Sequence, residues 1–221
     1  MKVENRRELK SRNTSWAKST ARLLQQKGAT PNGVSVASVG FAALAGICFW
    51  LAFMPESQFG RGGLLILGAL MIQARLLCNL MDGLIAIEGG MKSPVGDVYN
   101  DLPDRVADVL IILGVGYGLT LYPHAFVVGW AAALLSVCTA YVRLLGGSCG
   151  LVQSFRGPMA KQHRMALLTG AAVVSVFLSS AWAQLILCVG LWAIVAGAFL
   201  TCLLRARGVM NELMQLADKD E

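Results

Sequence analysis

The sequence predicts an all-α integral membrane protein, a six-transmembrane-helix bundle with an N-terminal interfacial amphipathic helix. Three observations carry this. The 221-residue chain is 56% hydrophobic and only 14% charged, against about 25% charged in an ordinary soluble domain. Long uncharged stretches recur, and Gly33–Phe53 alone runs 21 residues without a charge, enough to cross a hydrocarbon core of about 30 Å. Basic residues gather at the ends of these stretches rather than within them.

The elements follow in order. Residues 1–30 form a basic juxtamembrane arm in which Lys2, Arg6, Arg7, Lys10, Arg12, Lys18, Arg22 and Lys27 all precede the first apolar run. A hydrophobic span follows directly, so an anionic leaflet is the expected partner rather than nucleic acid. Trp16, Ala17, Ala21, Leu23 and Leu24 are expected against lipid headgroups. No secretory signal pattern opens the arm. Thr30 and Pro31 read as N-cap and first residue of a helix. The predicted spans are Gly33–Phe53, Leu64–Ile87, Gly96–Leu121, Ala125–Val142, Met165–Ala181 and Gln184–Leu204. The loop around Arg61, the turn at His124 and the Gly-rich connection 144–164 separate them. They make one membrane domain over 31–205, with a charged tail over 206–221. The six cysteines are scattered without a CxxC pair, which reads as buried small residues rather than disulfides or zinc ligands.

Six spans put both termini on one side. The basic arm, Lys92, Arg105, Arg143, Arg156, Lys161, Arg164, Arg205 and Arg207 fall there, whereas the opposite loops hold only Arg61. The excess of positive charge makes that side cytoplasmic, and a bacterial inner membrane is the expected location.

Six of the thirteen acidic residues fall between Asp82 and Asp108. Asn79 and Asp82 are i,i+3, and Asn100 and Asp104 are i,i+4, so each pair shares a helix face. Ionisable groups at membrane depth are costly and mark function. Clustered oxygen ligands suit a hard cation such as Mg²⁺, with Mn²⁺ as a substitute. The stretch Asn79-Leu-Met-Asp82-Gly83-Leu-Ile-Ala86-Ile87, followed by Gly96-Asp-Val-Tyr-Asn100-Asp-Leu-Pro-Asp104, resembles the CDP-alcohol phosphotransferase motif, Asp-x2-Asp-Gly-x2-Ala-Arg and then Gly-x3-Asp-x3-Asp. Asp82, Gly83, Ala86, Gly96 and Asp104 match by identity. Asn79, Asn100 and Ile87 replace two aspartates and the arginine, which points to a divergent branch.

The resemblance implies that Asn79, Asp82, Asn100 and Asp104 hold the metal and that Gly83, Ala86 and Gly96 meet the nucleotide. It implies Asp82 and Asp104 as catalytic residues, with Asp104 the base on the acceptor hydroxyl. It also implies a homodimer. The two asparagines lower the charge of the four metal positions from −4 to −2, which weakens cation attraction; interhelical hydrogen bonding is their alternative role. Asp97, on the face shared by 97, 100, 104 and 108, is an auxiliary ligand candidate. Asp101 is expected to be solvated or paired with Arg105. Arg75 is expected as a counter-ion to Asp82 or a phosphate contact. Arg143, Lys161 and Arg164 form a second, cationic group, suited to an anionic acceptor or lipid phosphate, and ordinary positive-inside charge is the competing account.

The expected reaction moves a phosphatidyl or related phospho-alcohol group from a CDP-alcohol, by expectation CDP-diacylglycerol, to a small hydroxyl acceptor, with release of CMP. Two other classes stay open: a degenerate member that binds CDP-lipid without turnover, and a small six-span transporter. The halves of the sequence lack the symmetry that transport would favour.

Overall fold

The computed structural model describes residues 14–88, 90–91 and 94–220. Residues 1–13 of the basic arm, with five of its eight basic residues, and Lys92 therefore lie outside the described residues. Seven helices run in order: α1 (Ser15–Gln26), α2 (Pro31–Leu51), α3 (Gln58–Glu88), α4 (Gly96–Gly118), α5 (Ala125–Ser148), α6 (Lys161–Val176) and α7 (Ser180–Asp220). No strand occurs among the described residues.

The local signals act where the sequence put them. Thr30 caps α2, its hydroxyl accepting from the Gly33 amide at 3.1 Å, and Pro31 follows at the first helical position. α1 is amphipathic, but it is divided between protein and surroundings. Ala17 and Ala21 bury against Met81, Leu84 and Ile85 of α3, whereas Trp16 and Leu23 stay exposed. Small residues on α1 allow this close seat beside the motif end of α3.

The bundle is knitted by small residues. α2 packs on α3 and α4, α4 on α5, α5 on α7, and α6 bridges α3 to α7. A Cβ on Gly114 would lie 2.2 Å from the Gly46 carbonyl oxygen, and one on Gly118 would lie 2.2 Å from that of Phe49. Backbone contact of this kind gives membrane helices the dispersion energy that apolar burial cannot supply in lipid. Outside this core the helices expose Trp50, Trp130, Trp182, Trp192, Phe177 and Phe199, a surface suited to hydrocarbon.

Four helices, α2, α3, α5 and α7, are long and apolar enough to cross a membrane. The other two expected spans are less clear-cut. α4 carries Asp97, Asp101, Asp104, Arg105 and Asp108 between its second and thirteenth residues, and α6 has only 16 residues. Several boundaries also move. α3 begins at Gln58, inside the expected loop, where the Ser57 hydroxyl accepts from the Gly60 amide at 3.0 Å as an N-cap. Arg61 turns inward and donates from Nη2 to the Leu178 carbonyl at 2.7 Å, closing the end of α6. α5 continues to Ser148 and α6 opens at Lys161. α7 does not stop near Leu204: it is 41 residues long, about 60 Å at the helical rise. The tail expected from 206 is thus a continuation of the last helix, exposed from Asn211 to Asp218. All six cysteines are free thiols.

The segment between α5 and α6 folds under the bundle. Gly157, at φ +119°, sits against Thr201 of α7, where a Cβ would come 2.5 Å from the threonine methyl. The Met159 amide donates to the Thr201 hydroxyl at 3.0 Å. That anchorage fixes where α6 starts, and so where Lys161 and Arg164 stand.

Candidate active site

The motif residues of α3 and α4 face one another at one end of the bundle. Asp82 and Asp104 are each only 6% exposed. Asp82 is held from α2: the Ser35 hydroxyl donates to its Oδ2 at 2.7 Å. Asp104 is held from two sides. Its Oδ1 accepts from Asn79 Nδ2 at 2.6 Å and from Arg75 Nη2 at 3.2 Å, and its Oδ2 accepts from Lys161 Nζ at 2.5 Å. Arg105 lies near the same oxygen at 3.7 Å.

Below this layer is a buried ionic core. Arg75 and Arg164 are 0% exposed and Asp108 is 1% exposed. Asp108 Oδ1 accepts from Arg75 Nη2 at 2.8 Å, and its Oδ2 accepts from Arg164 Nη2 at 2.6 Å. Arg75 Nη2 also reaches the Asp104 backbone carbonyl at 3.3 Å. Arg164 Nη1 donates to the Met159 carbonyl at 2.9 Å and lies 3.4 Å from the Thr139 hydroxyl. Unpaired charges at this depth would cost several kcal/mol each, which is why the guanidiniums converge on one carboxylate.

A third group lies at the α5 side. Arg143 donates to Asp101 at 2.8 Å and stacks over the Phe155 ring at 5.4 Å. Arg205 of α7, 5% exposed, donates to the carbonyls of Arg156 and Thr139.

The sequence expectations sort accordingly. Asn79, Asp82 and Asp104 converge, and Lys161 joins them from α6. Arg75 is not the counter-ion of Asp82; its guanidinium goes to Asp104 and Asp108, because α4 rather than its own next turns faces it. Arg164 does not open to an acceptor: it is enclosed behind the site with Asp108. Asp101 pairs with Arg143 at shorter range than with Arg105, which stands at 4.0 Å. Asn100 and Asp97 are exposed on the first turns of α4. Gly83 is buried and Ala86 half-buried. Gly96 has open space where a Cβ would point, room for a ligand to approach the backbone. His124 stands at the start of α5, next to the end of α4 remote from the motif.

Three residues were not singled out by sequence reasoning. Asp108 closes the 97, 100, 104, 108 face, so its spacing was visible but its depth was not. Arg205 stood out only as one more basic residue after a span. Ser35 gave no signal at all.

Metal fit can be judged from the donors. The converging side chains offer two carboxylates, Asp82 and Asp104, and the amide oxygen of Asn79; Asn100 stands apart on an exposed turn of α4. All are oxygen ligands of the kind a hard divalent cation takes. Among the described residues no three His, Cys, Asp or Glu side chains are grouped so as to hold a metal ion by themselves.

No family model matches the chain. It is 25% identical over 161 residues to the inner membrane protein YnbA of Escherichia coli, covering 70% of this chain and 72% of that protein. It is 29% identical over 166 residues to the archaetidylinositol phosphate synthase of Aeropyrum pernix, covering 73% and 75%. Among solved structures it superposes on the phosphatidylinositol phosphate synthase of Mycobacterium tuberculosis with CDP-DAG bound, with a TM-score of 0.73 at 21% identity, over 89% of this chain and 94% of that one. The same enzyme with manganese and citrate gives 0.72 at 21% identity, over 88% of each. Fold, motif spacing and sequence similarity agree, and the CDP-alcohol phosphotransferase recognition made from residues 79–104 is borne out.

Proposed function

We infer that this chain is a six-span membrane phosphotransferase that moves a phosphatidyl or related phospho-alcohol group from a CDP-alcohol to an acceptor hydroxyl and releases CMP. CDP-diacylglycerol is the favoured donor, since the structural neighbour holds CDP-DAG. The single observation that carries the reading is the convergence of Asp82, Asn79 and Asp104 from two helices with a cation, Lys161, from a third. α4 and α6 complete the six spans, their polar ends lining the site. The motif end faces the cytoplasm by the positive charge around it, in an inner-membrane setting like that of YnbA. A homodimer is expected by resemblance.

The chemistry divides among the side chains. Asp82, Asp104 and the amide oxygens of Asn79 and Asn100 would hold Mg²⁺ or Mn²⁺, which would supply charge neutralisation for the pyrophosphate. Gly96 leaves room for the nucleotide beside the backbone. Asp104 is the base: its carboxylate takes the proton as the acceptor oxygen attacks the β-phosphorus, and the bond from that phosphorus to the CMP oxygen breaks. Lys161 and Arg75 hold the Asp104 carboxylate in place from α6 and α3. Lys161 and Arg143 offer cationic contacts to an anionic acceptor at the mouth.

The test is CMP release from CDP-diacylglycerol by purified protein, with a panel of acceptor alcohols and with Mg²⁺ present or chelated. Metal-dependent release with at least one acceptor is expected. Binding of CDP-diacylglycerol with no release under any condition favours a second reading, a CDP-lipid binder without turnover. One observation supports that reading: Asn79 occupies Asp104 with an N–H donor where the family pattern has a carboxylate.

A further inference from the structure

Asp108 lies outside the motif, one helical turn deeper than Asp104 on the same face of α4. It is where three helices meet. One carboxylate oxygen takes Arg75 of α3 at 2.8 Å and the other takes Arg164 of α6 at 2.6 Å. The Arg75 atom that it binds, Nη2, is the same atom that reaches Asp104 Oδ1 at 3.2 Å and the Asp104 carbonyl at 3.3 Å. The remaining Arg75 nitrogens, Nε and Nη1, are buried without a hydrogen-bond partner. The place of this guanidinium is therefore set by Asp108 and Asp104 alone.

We propose that Asp108 is a positioning residue: it anchors Arg75, and through the shared Nη2 it fixes the orientation of the Asp104 carboxylate toward the reacting groups. The role rests on the function proposed above for Asp104. Its logic is electrostatic as well as steric. Arg75 and Arg164 together carry two positive charges, and Asp108 balances one of them. Without it, both guanidiniums would turn to Asp104 as the nearest carboxylate and pull it away from the metal and acceptor side. Misplacement of a reacting group by about 1 Å costs up to a hundredfold in rate.

Two variants test this. Asp108→Glu keeps every charge but moves the carboxylate by one methylene. The double variant Asp108→Leu with Arg164→Met removes one negative and one positive charge, so the buried core keeps its net charge while Arg75 loses the acceptor that anchors it. Both should reach the membrane at wild-type abundance. The expected result in each is a fall in kcat for CMP release of about tenfold or more, with KM for the CDP-lipid within about twofold. A residue that only holds the bundle together would lower abundance and thermal midpoint without touching kcat of the folded fraction. A crystal structure of the double variant should show the Arg75 guanidinium shifted from position 108 onto Asp104 and the Asp104 carboxylate turned from its wild-type orientation. That readout needs no turnover, so it decides the positioning role even if the wild type releases no CMP. Wild-type kcat in either folded variant, or an Arg75–Asp104 contact unchanged in the double variant, would overturn the proposal.

Discussion

Lys161, the first residue of α6, places its ammonium 2.5 Å from Oδ2 of Asp104 in α4, across 57 residues of sequence. The contact joins the acidic motif to the basic segment that the sequence shows only as a separate group. It also separates two residues that sequence alone treated together. Lys161 is 25% exposed in its side chain and stands at the rim; Arg164, one turn further in, is 0% exposed and ion-paired to Asp108.

Lys161→Ala and Arg164→Met should therefore fail differently. Lys161→Ala should leave membrane abundance near wild type and raise the acceptor KM about tenfold to a hundredfold, the worth of a charge-assisted contact, while KM for the CDP-lipid changes little. Arg164→Met leaves Asp108 with half its compensation, and breaking a buried pair costs about 3–5 kcal/mol. Its thermal midpoint in detergent should drop sharply. Similar stability in both variants would return Arg164 to the acceptor pocket.

Asp82→Asn and Asp104→Asn should each reduce CMP release to a few per cent of wild type or less, at nearly normal abundance. The amide preserves volume and removes the charge. Western blotting of membranes alongside the assay separates loss of chemistry from loss of protein, and substantial residual release in either variant would remove that residue from the reaction.

Asn79→Asp changes the character of the site. The Asn79 amide now donates to Asp104 at 2.6 Å; a carboxylate there would oppose Asp104 at the same distance. Without divalent cation this variant should melt below wild type, and Mg²⁺ should restore it with a larger shift than wild type shows, because the deeper negative potential binds the cation more tightly. Asn100→Asp, on an exposed turn, should give a smaller shift in the same direction. Mg²⁺ titrations followed by thermal melting check both, and identical curves for wild type and both variants would exclude these positions from the metal shell.

Gly114→Ala tests the scaffold. Its methyl would fall 2.2 Å from the Gly46 carbonyl oxygen and 2.4 Å from the Gly46 Cα, and backbone on both sides leaves nothing soft to yield. Overpacking of this kind costs about 1–3 kcal/mol, so the thermal midpoint should fall. Gly63→Ala, with open space at its Cβ, is the control and should melt like wild type.

The sequence by itself determined the class of the molecule and pointed to the core of its candidate site. Apolar length needs no partner to be read, since the bilayer fixes how many residues a crossing takes, and so α2, α3, α5 and α7 were legible. The spacing of Asn79, Asp82, Asn100 and Asp104 was legible because helical periodicity turns sequence separation into a shared face. Helix ends were less so. α3 starts six residues before the expected Leu64, capped by Ser57, and α7 ran on through its charged tail. The pairing of buried charge was decided by tertiary structure alone. Nothing in the sequence distance between Arg75, Asp108 and Arg164 says that they meet. Their partners come from three different helices, and the cost of burying an unpaired charge acts only once those helices pack. The same holds for Ser35, whose hydroxyl becomes part of the site only because small residues let α2 approach α3 and α4 closely.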